Sequence, residues 1–259
     1  MILQVGIKNF KKGCNINDIK VPEKLKIRHK TGFKLFDDCL GGEGMVPTSV
    51  MMLTGVAGGG KSTMLRQVAD AITGSGNIAL YNSGEESLYQ VAMASERLRL
   101  RNGFVPGQET MAPELLTYAD AIRKANPKKQ LFILQDSLQT LNDGKWAHGT
   151  TGNTPVRCTE MIVDYCQENF SIAIFIGQVT KSGEFAGKNT IKHAVDVHGH
   201  IGIDEEKKSE TYGERLFEIT KNRWGTSGKT FIVGMSKTGL YEKGNFRKDG
   251  SQEDEIAAV

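Results

Sequence analysis

The sequence has few of the features that mark secreted, membrane-spanning or metal-stapled proteins. Its four cysteines form no CxxC pair and no other compact metal-ligand spacing. No run approaches the roughly 18 consecutive apolar residues that a membrane span requires. The first basic residues follow a short apolar run, which is the reverse of the order in a secretory signal. We therefore expect a cytoplasmic protein without a membrane partner or a zinc site, and with reduced, buried cysteines.

The chain also has little excess of charge of either sign. The chain has 33 Lys and Arg against 30 Asp and Glu, a net charge of +3. This balance neither requires nor excludes a nucleic-acid partner, because a DNA-binding face can be local. A chain of 259 residues can bury one large core. We expect an N-terminal arm at residues 1–30, one domain at residues 31–243 and a flexible polar tail at residues 244–259.

Apolar runs alternate with helical patterns over most of the predicted domain. The predicted strands of this part are residues 50–54, 77–82, 130–135 and 171–177. The predicted helices are residues 61–73, 86–101, 118–125 and 159–169. Later strands, predicted without helices between them, are residues 197–203, 215–221, 230–235 and 239–242. The pattern predicts an α/β fold with a mostly parallel central sheet flanked by helices and antiparallel C-terminal strands that end in a hairpin.

The most specific motif is GVAGGGKST, which begins at Gly55 and fits G-x-x-x-x-G-K-[ST]. Its glycines let backbone N–H groups turn inward around phosphates, and the following helix adds its positive end. Lys61 is expected to reach the β- and γ-phosphates, and the Ser62 hydroxyl is expected to bind Mg²⁺. Thr63 would lie on the α-phosphate side. The residues expected to bind ATP are Gly55, Gly58, Gly59, Gly60, Lys61, Ser62 and Thr63.

Polar side chains at three other strand ends are candidates for the chemistry. Asp136 is expected to hold the metal through water, and the alternative is a helix N-cap. Glu85, on a strand expected beside the P-loop strand, is placed to orient the attacking water. Glu86 is its rival, and both glutamates are alternatively first-turn acids favoured by the helix dipole. Gln178 is either a γ-phosphate sensor or an ordinary strand-end glutamine.

Five segments in a consistent order resemble the bacterial RadA/Sms family, a branch of the RecA-like ATPases. They are TGFKLFDDCLGG from Thr31 with a following VP, SGEES from Ser83, DSLQT from Asp136, VTKSG from Val179 with a following AG, and KNRWG from Lys221. The resemblance runs from about residue 27 to about residue 242. The four-cysteine zinc module and the Lon-like domain of that family have no counterpart in this sequence. Such a core-only form would suit a phage, and the protein would then act in the host cytoplasm.

The resemblance implies roles for several residues. Glu85 would be the catalytic glutamate, and Gln178 stands where the family has its γ-phosphate sensor, often a histidine. Lys221 and Arg223 would act as finger residues on the ATP of a neighbouring subunit. Cations supplied by a partner stabilise transition-state charge, so hydrolysis would depend on assembly. The alternative for KNRWG is a basic strand end with a turn.

Two polar, Gly-rich loops at residues 142–155 and 181–192 follow predicted strand ends. In RecA-like rings and filaments the corresponding loops face single-stranded DNA. Their cations suit phosphates and their aromatic rings suit base stacking, whereas the alternative is a pair of solvated loops. The candidate DNA-binding residues are Lys145, Trp146, Lys181, Phe185, Lys188 and Lys192, with His148 nearby. Three nearby histidines, His193, His198 and His200, are expected to be structural.

These observations predict an oligomeric ATP- and Mg²⁺-dependent motor that works on single-stranded or branched DNA in recombination and repair. A hexameric ring is the expected assembly and a filament is the alternative, with a recombinase or replication protein as a further partner. The alternative functions are a DnaB-like replicative helicase core and a RecA-like strand-exchange recombinase. A KaiC-like regulatory ATPase without DNA binding is the alternative of another class.

Overall fold

The computed structural model describes residues 13–145, 151–178 and 190–247. The strands are β1 (Val50–Gly55), β2 (Ile78–Ser83), β3 (Val105–Gly107), β4 (Leu131–Asp136), β5 (Ile172–Ile176), β6 (Val197–Ile203), β7 (Arg215–Asn222), β8 (Lys229–Ser236) and β9 (Gly239–Arg247). The α-helices are α1 (Glu23–Lys26), α2 (Lys34–Cys39), α3 (Lys61–Gly74), α4 (Leu88–Leu98), α5 (Ala112–Ala125), α6 (Thr154–Asn169) and α7 (Thr190–Ala194). Short 3₁₀ turns occur at Ile16–Asp18 and Leu138–Thr140.

All nine strands form one sheet in the order β3-β2-β4-β5-β1-β6-β7-β8-β9. The strands from β3 to β6 in this order pair in parallel, and those of the other end, β7 to β9, are antiparallel. β1 is buried along its whole length because it lies in the middle of the sheet under helices on both faces. Met51 and Leu53 face the core with α2 and α3, whereas Val50 and Met52 face the core with α5 and α6.

The predicted α/β class is confirmed, with one correction at the start of the C-terminal strands. The sequence groups residues 197–203 with the antiparallel strands, but β6 pairs in parallel with β1. The reason is that the connection between β5 and β6, which includes the five-residue helix α7, returns the chain to the amino end of the sheet. The antiparallel part therefore begins at β7, and the predicted hairpin is present between β8 and β9.

Several boundaries differ from the sequence-based prediction. α4 begins at Leu88 rather than at residue 86, because Ser87 and Gln90 form a capping box that ends the preceding turn. β9 continues to Arg247, since its backbone pairs with the full length of β8 from Lys229. Residues 244–247, assigned from sequence to the tail, thus belong to the sheet. Residues 1–12 of the predicted N-terminal arm lie outside the described residues.

The cysteines behave as the sequence predicts for buried thiols. Cys39, Cys158 and Cys166 are buried and unbridged, and Cys14 is half-buried. Burial raises the pKa of Cys158 to about 12 and raises the pKa of Cys166 further, so both remain neutral thiols. In the part of the chain that the structure covers, no helix has both the length and the apolarity to cross a membrane.

Candidate nucleotide site

The P-loop joins the carboxyl end of β1 to the start of α3. Gly55 has a φ of 154°, and a Cβ there would lie 1.9 Å from the Ile201 carbonyl oxygen of β6, so glycine is required. Gly60 at the helix N-cap has a φ of 103°, again in the region that favours glycine. The loop is held from behind by the Arg215 Nε, which donates to the Gly59 carbonyl oxygen at 3.0 Å. Glycine at these two positions therefore allows the backbone to close into the loop that is the candidate phosphate cradle.

The ammonium group of Lys61 lies inside this loop. Its Nζ donates to the carbonyl oxygens of Gly55 and Val56, each at 2.8 Å. Burial lowers the pKa of Lys61, while the nearby carboxylates of Asp136 and Glu85 act in the opposite direction. One cation and two carboxylates therefore lie close together at the mouth of the P-loop.

Asp136 ends β4 and is almost fully buried. Its Oδ2 accepts a hydrogen bond from the Tyr81 hydroxyl of β2 at 2.8 Å. The following 3₁₀ turn begins at Leu138, and no side chain caps it. The alternative in which Asp136 caps a helix is therefore wrong in this structure.

The two adjacent glutamates after β2 have different surroundings. Glu85 Oε1 accepts hydrogen bonds from Ser137 Oγ at 2.6 Å and from Gln178 Nε2 at 2.8 Å. Glu86 instead forms an ion pair with Arg66, a buried residue of α3. Both glutamates precede the Ser87 N-cap, so neither lies in the first turn of α4. Glu85 faces the other polar strand ends, and Glu86 fastens the turn to the P-loop helix.

The strand that carries Glu85 does not adjoin β1, contrary to the prediction. β4 and β5 separate β2 from β1 in the sheet. The side chain nevertheless reaches the site, because the turn after β2 is held over the carboxyl end of β4, where the Gly84 N–H donates to the Asp136 carbonyl oxygen at 2.8 Å. Carboxyl ends of parallel strands meet on one edge of a sheet, and the polar groups of β2, β4 and β5 converge there.

Gln178 connects this group to two neighbouring segments. Its side chain binds Glu85, and its backbone N–H donates to Gln139 Oε1 at 3.3 Å. Gln139 belongs to the 3₁₀ turn just before the first Gly-rich loop, and Gln178 is the last described residue before the second. Ser137 and Gln139 were not proposed from sequence, although both lie in the DSLQT segment.

The basic residues of KNRWG lie at the opposite, amino end of the sheet. Lys221 Nζ donates to the carbonyl oxygens of Lys192 at 2.8 Å and Val195 at 2.6 Å, which close the end of α7. Arg223 pairs with Asp196 at 3.2 Å and donates to the His193 carbonyl oxygen at 3.0 Å. Burial and the Arg223 charge lower the pKa of Lys221.

The structure places only part of the candidate DNA-binding set. Lys145 is exposed at the end of a described segment, and Lys192 is half-buried in α7. Asp143, two residues before Lys145, is held by Arg157 of α6, which lowers the Asp143 pKa. The other candidates lie outside the described residues; they are Trp146, His148, Lys181, Phe185 and Lys188.

Two of the three histidines bind polar neighbours within the sheet, as expected. Thr54 Oγ1 lies 2.9 Å from His198 Nε2 and 3.1 Å from His200 Nδ1. On its other side His198 contacts the Thr220 hydroxyl of β7. Within the described ranges, no group of three or more His, Cys, Asp and Glu side chains is arranged to hold a metal ion.

Comparison with known proteins finds relatives but no matching family model. The DNA repair protein RadA of Aquifex aeolicus is 32% identical over 221 residues, which are 83% of this chain and 46% of that protein. RadA of Bacillus subtilis is 30% identical over 239 residues, 92% of this chain and 49% of that protein. RadA of Mycobacterium tuberculosis strain H37Rv is 35% identical over 212 residues, 81% and 42% of the two chains. The chain spans about half the length of the curated relatives it matches.

A solved ATPase domain has the same fold. It superposes with a TM-score of 0.69 over 80% of this chain and 88% of its own length, at 14% sequence identity. At that identity the likeness concerns the fold alone, and it agrees with the parallel sheet and antiparallel extension described above.

Proposed function

We propose that this chain, a RadA-like core with a RecA-type ATPase fold, couples ATP hydrolysis to work on DNA. The observation that carries the proposal is the position of Glu85. Its carboxylate is held by Ser137 and Gln178 and lies near Lys61 and Asp136, beside a backbone cradle shaped for phosphates. A carboxylate fixed next to a phosphate site is suited to orient a water molecule for attack.

The residues of the site fit ATP and Mg²⁺. Gly55, Gly58, Gly59, Gly60 and Thr63 would surround the phosphates with backbone and hydroxyl donors, and Lys61 would exchange its loop carbonyls for the β- and γ-phosphates. Ser62 and, through water, Asp136 would hold Mg²⁺, which supplies neutralising charge when bound. Glu85 then orients the water that attacks the γ-phosphorus, ADP leaves, and Gln178 reports the loss of the γ-phosphate.

Lys221 and Arg223 would complete the site of a neighbouring copy. Lys221 is paired with His198, and His198 is paired with Met52, three residues before Gly55 on β1. Arg223 lies beside Asp196, which pairs with Val50. These positions are about 10 and 16 Å short of the P-loop along the strand direction. Since neither cation points toward the phosphates of its own chain, we propose a role in trans and hence a homo-oligomer, with a hexameric ring as the form we favour over a filament.

The DNA would bind at the two Gly-rich loops. Gln178 touches Glu85 and also Gln139, so movement of either loop would be transmitted to the carboxylate that orients water. We propose that single-stranded or branched DNA binds through Lys145, Trp146, Lys181, Phe185, Lys188 and Lys192, and that the motor serves recombination and repair in the cytoplasm. Helicase activity and a recombinase or replication partner belong to the same proposal.

Steady-state ATP hydrolysis with and without single-stranded DNA tests this function. We expect stimulation by DNA, and we expect Lys61→Ala and Arg223→Ala each to remove it. Hydrolysis that ignores DNA, with no detectable DNA binding, would overturn the motor and favour a KaiC-like regulatory ATPase. Electron microscopy distinguishes rings from the filaments of a RecA-like recombinase, and a strand-displacement assay tests the DnaB-like alternative.

A further inference from the structure

A row of three side chains, of which Arg66 and Tyr81 are buried, leads to Asp136, the proposed metal-binding aspartate. Glu86 pairs with Arg66 of the P-loop helix, whose side chain is 4% exposed. The guanidinium carbon of Arg66 lies 5.7 Å from the centre of the Tyr81 ring, and the Tyr81 hydroxyl donates to Asp136 Oδ2 at 2.8 Å. Tyr81 is fully buried and also packs against Phe104. None of Arg66, Tyr81 or Glu86 takes part in the chemistry proposed above.

The hydrogen-bonding chemistry of these groups allows only one direction for the Tyr81 hydroxyl proton. A guanidinium has only donors, so Arg66 can accept no hydrogen bond from the Tyr81 hydroxyl. The hydroxyl proton must then point away from Arg66, and the carboxylate of Asp136 is the acceptor on that side.

We infer that Tyr81 is a positioning residue for the Mg²⁺ site, acting through Asp136 and oriented by Arg66. This inference rests on the proposed function, which assigns the metal to Asp136 and Ser62. The hydrogen bond engages Oδ2, and because a carboxylate is planar it also sets the direction in which Oδ1 faces. A phenylalanine at this position would fill the same space but would lack the hydrogen bond to Oδ2. The Asp136 carboxylate could then rotate, and it would have to be reoriented each time the metal binds.

Metal binding, measured apart from turnover, tests the inference. Mn²⁺ binding to the full chain with saturating ADP is followed by electron paramagnetic resonance, and ADP binding without metal is followed by calorimetry. For Tyr81→Phe we expect the Mn²⁺ dissociation constant to rise about tenfold or more, as for the loss of one hydrogen bond to a charged group, with metal-free ADP binding unchanged. Tyr165→Phe is the matched control, because it removes a hydroxyl from α6 on the other side of the sheet.

Two comparisons distinguish a failure of this inference from a failure of the proposed function. Unaltered Mn²⁺ affinity in a folded Tyr81→Phe protein, together with weakened affinity in Asp136→Asn, overturns the role of Tyr81 alone. Unaltered affinity in Asp136→Asn overturns the metal assignment of the proposed function instead. If Tyr81→Phe fails to fold, Arg66→Met removes the guanidinium that contacts the Tyr81 ring and so frees the tyrosine to move away from Asp136. Weaker Mn²⁺ binding by that variant supports the inference, and unchanged binding contradicts it.

Discussion

The charged and polar side chains at the two ends of the parallel sheet have different surroundings. At the carboxyl end, Lys61, Glu85, Asp136 and Gln178 come from four different segments and converge beside the P-loop. At the amino end, Lys221 and Arg223 are bound by carbonyl oxygens of residues 192–195 and by Asp196. The carboxyl end thus holds the residues of the proposed nucleotide site, and the amino end holds the two cations proposed to act on a neighbouring copy.

Under the proposed role in trans, one copy would provide a site and present a finger to the next. Long cationic side chains lose conformational freedom when they dock, at a cost of about 1–2 kcal/mol for a Lys or Arg that is free beforehand. Lys221 and Arg223 are already ordered by the contacts at the end of α7, so part of that cost is met before assembly. The same contacts join them to the segment that follows the second Gly-rich loop.

The largest expected effect comes from substituting the two glutamates at the carboxyl end one at a time. Glu85→Gln should lower kcat for ATP by about 10²–10⁴-fold while ATP still binds, because the amide cannot act as a base for water. Glu86→Gln should leave kcat within a few-fold. It should instead lower the free energy of unfolding by about 1–2 kcal/mol, since buried Arg66 loses its ionised partner while Gln keeps one acceptor.

The measurements are single-turnover hydrolysis, nucleotide binding and urea unfolding on both variants. Equal kinetic losses for the two substitutions would mean that the turn acts as a unit and that the division of roles is wrong. A Glu85→Gln protein that also fails to bind ATP would place Glu85 in binding rather than in water activation.

The second prediction concerns the basic residues at the amino end of the sheet. Arg223→Ala should lower ATP hydrolysis about a hundredfold through the loss of one transition-state cation, with the fold retained because Arg223 lies on the surface. A mixture of Arg223→Ala and Glu85→Gln chains should recover activity that neither variant has alone. In a randomly mixed ring about a quarter of the sites would combine an intact Glu85 with an intact neighbouring Arg223.

Hydrolysis by the mixed variants, after dissociation and reassembly, is compared with the sum of the separate preparations. Lys229→Ala, a change at an exposed lysine near the start of β8, is the matched control and should behave as the unaltered chain in the same mixing experiment. No gain on mixing would contradict the role in trans, whatever the activity of the single variants.

Sequence alone predicts those parts of the site that depend on local chemistry. The P-loop is recognisable because its glycines, lysine and hydroxyls are contiguous, and Asp136 and Gln178 because each ends an apolar run. The choice between Glu85 and Glu86 depends on Arg66, twenty residues away and in another element. Tyr81 could not be singled out either, because a tyrosine in NIALYN is typical of a buried strand and its partner lies 55 residues further on.

Prediction of the fold from sequence has the same limit. Long apolar or periodic segments such as β1, α3 and β5 are correctly predicted, whereas β3 has three residues and α7 has five, too few for a periodic signal. Missing α7 led to the wrong direction for β6, because only a returning segment makes a parallel strand possible. The extension of β9 depends on pairing with β8, which no property of residues 244–247 indicates.

The last prediction concerns the pH dependence of the link between β1 and the antiparallel strands. His198 joins Thr54 of β1 to Thr220 of β7, and burial together with the charges of Lys192, His200 and Lys221 lowers its pKa from 6.5 to about 4. The fold therefore favours the neutral ring, so its contribution is present above pH 6.5 and is lost as the pH falls toward 4. This difference corresponds to about 3 kcal/mol in the free energy of unfolding.

Urea unfolding between pH 7.5 and pH 4 of the unaltered chain and of His198→Asn isolates this contribution, since other groups titrate equally in both proteins. We expect His198→Asn to be less stable at pH 7.5, because it loses one of the two hydroxyl contacts, but to lose less stability on acidification. His193→Asn, at an exposed position of α7, should follow the unaltered chain. Parallel curves for His198→Asn and the unaltered protein would mean that His198 protonates in the folded sheet without cost, and that the link between β1 and β7 is looser than its distances indicate.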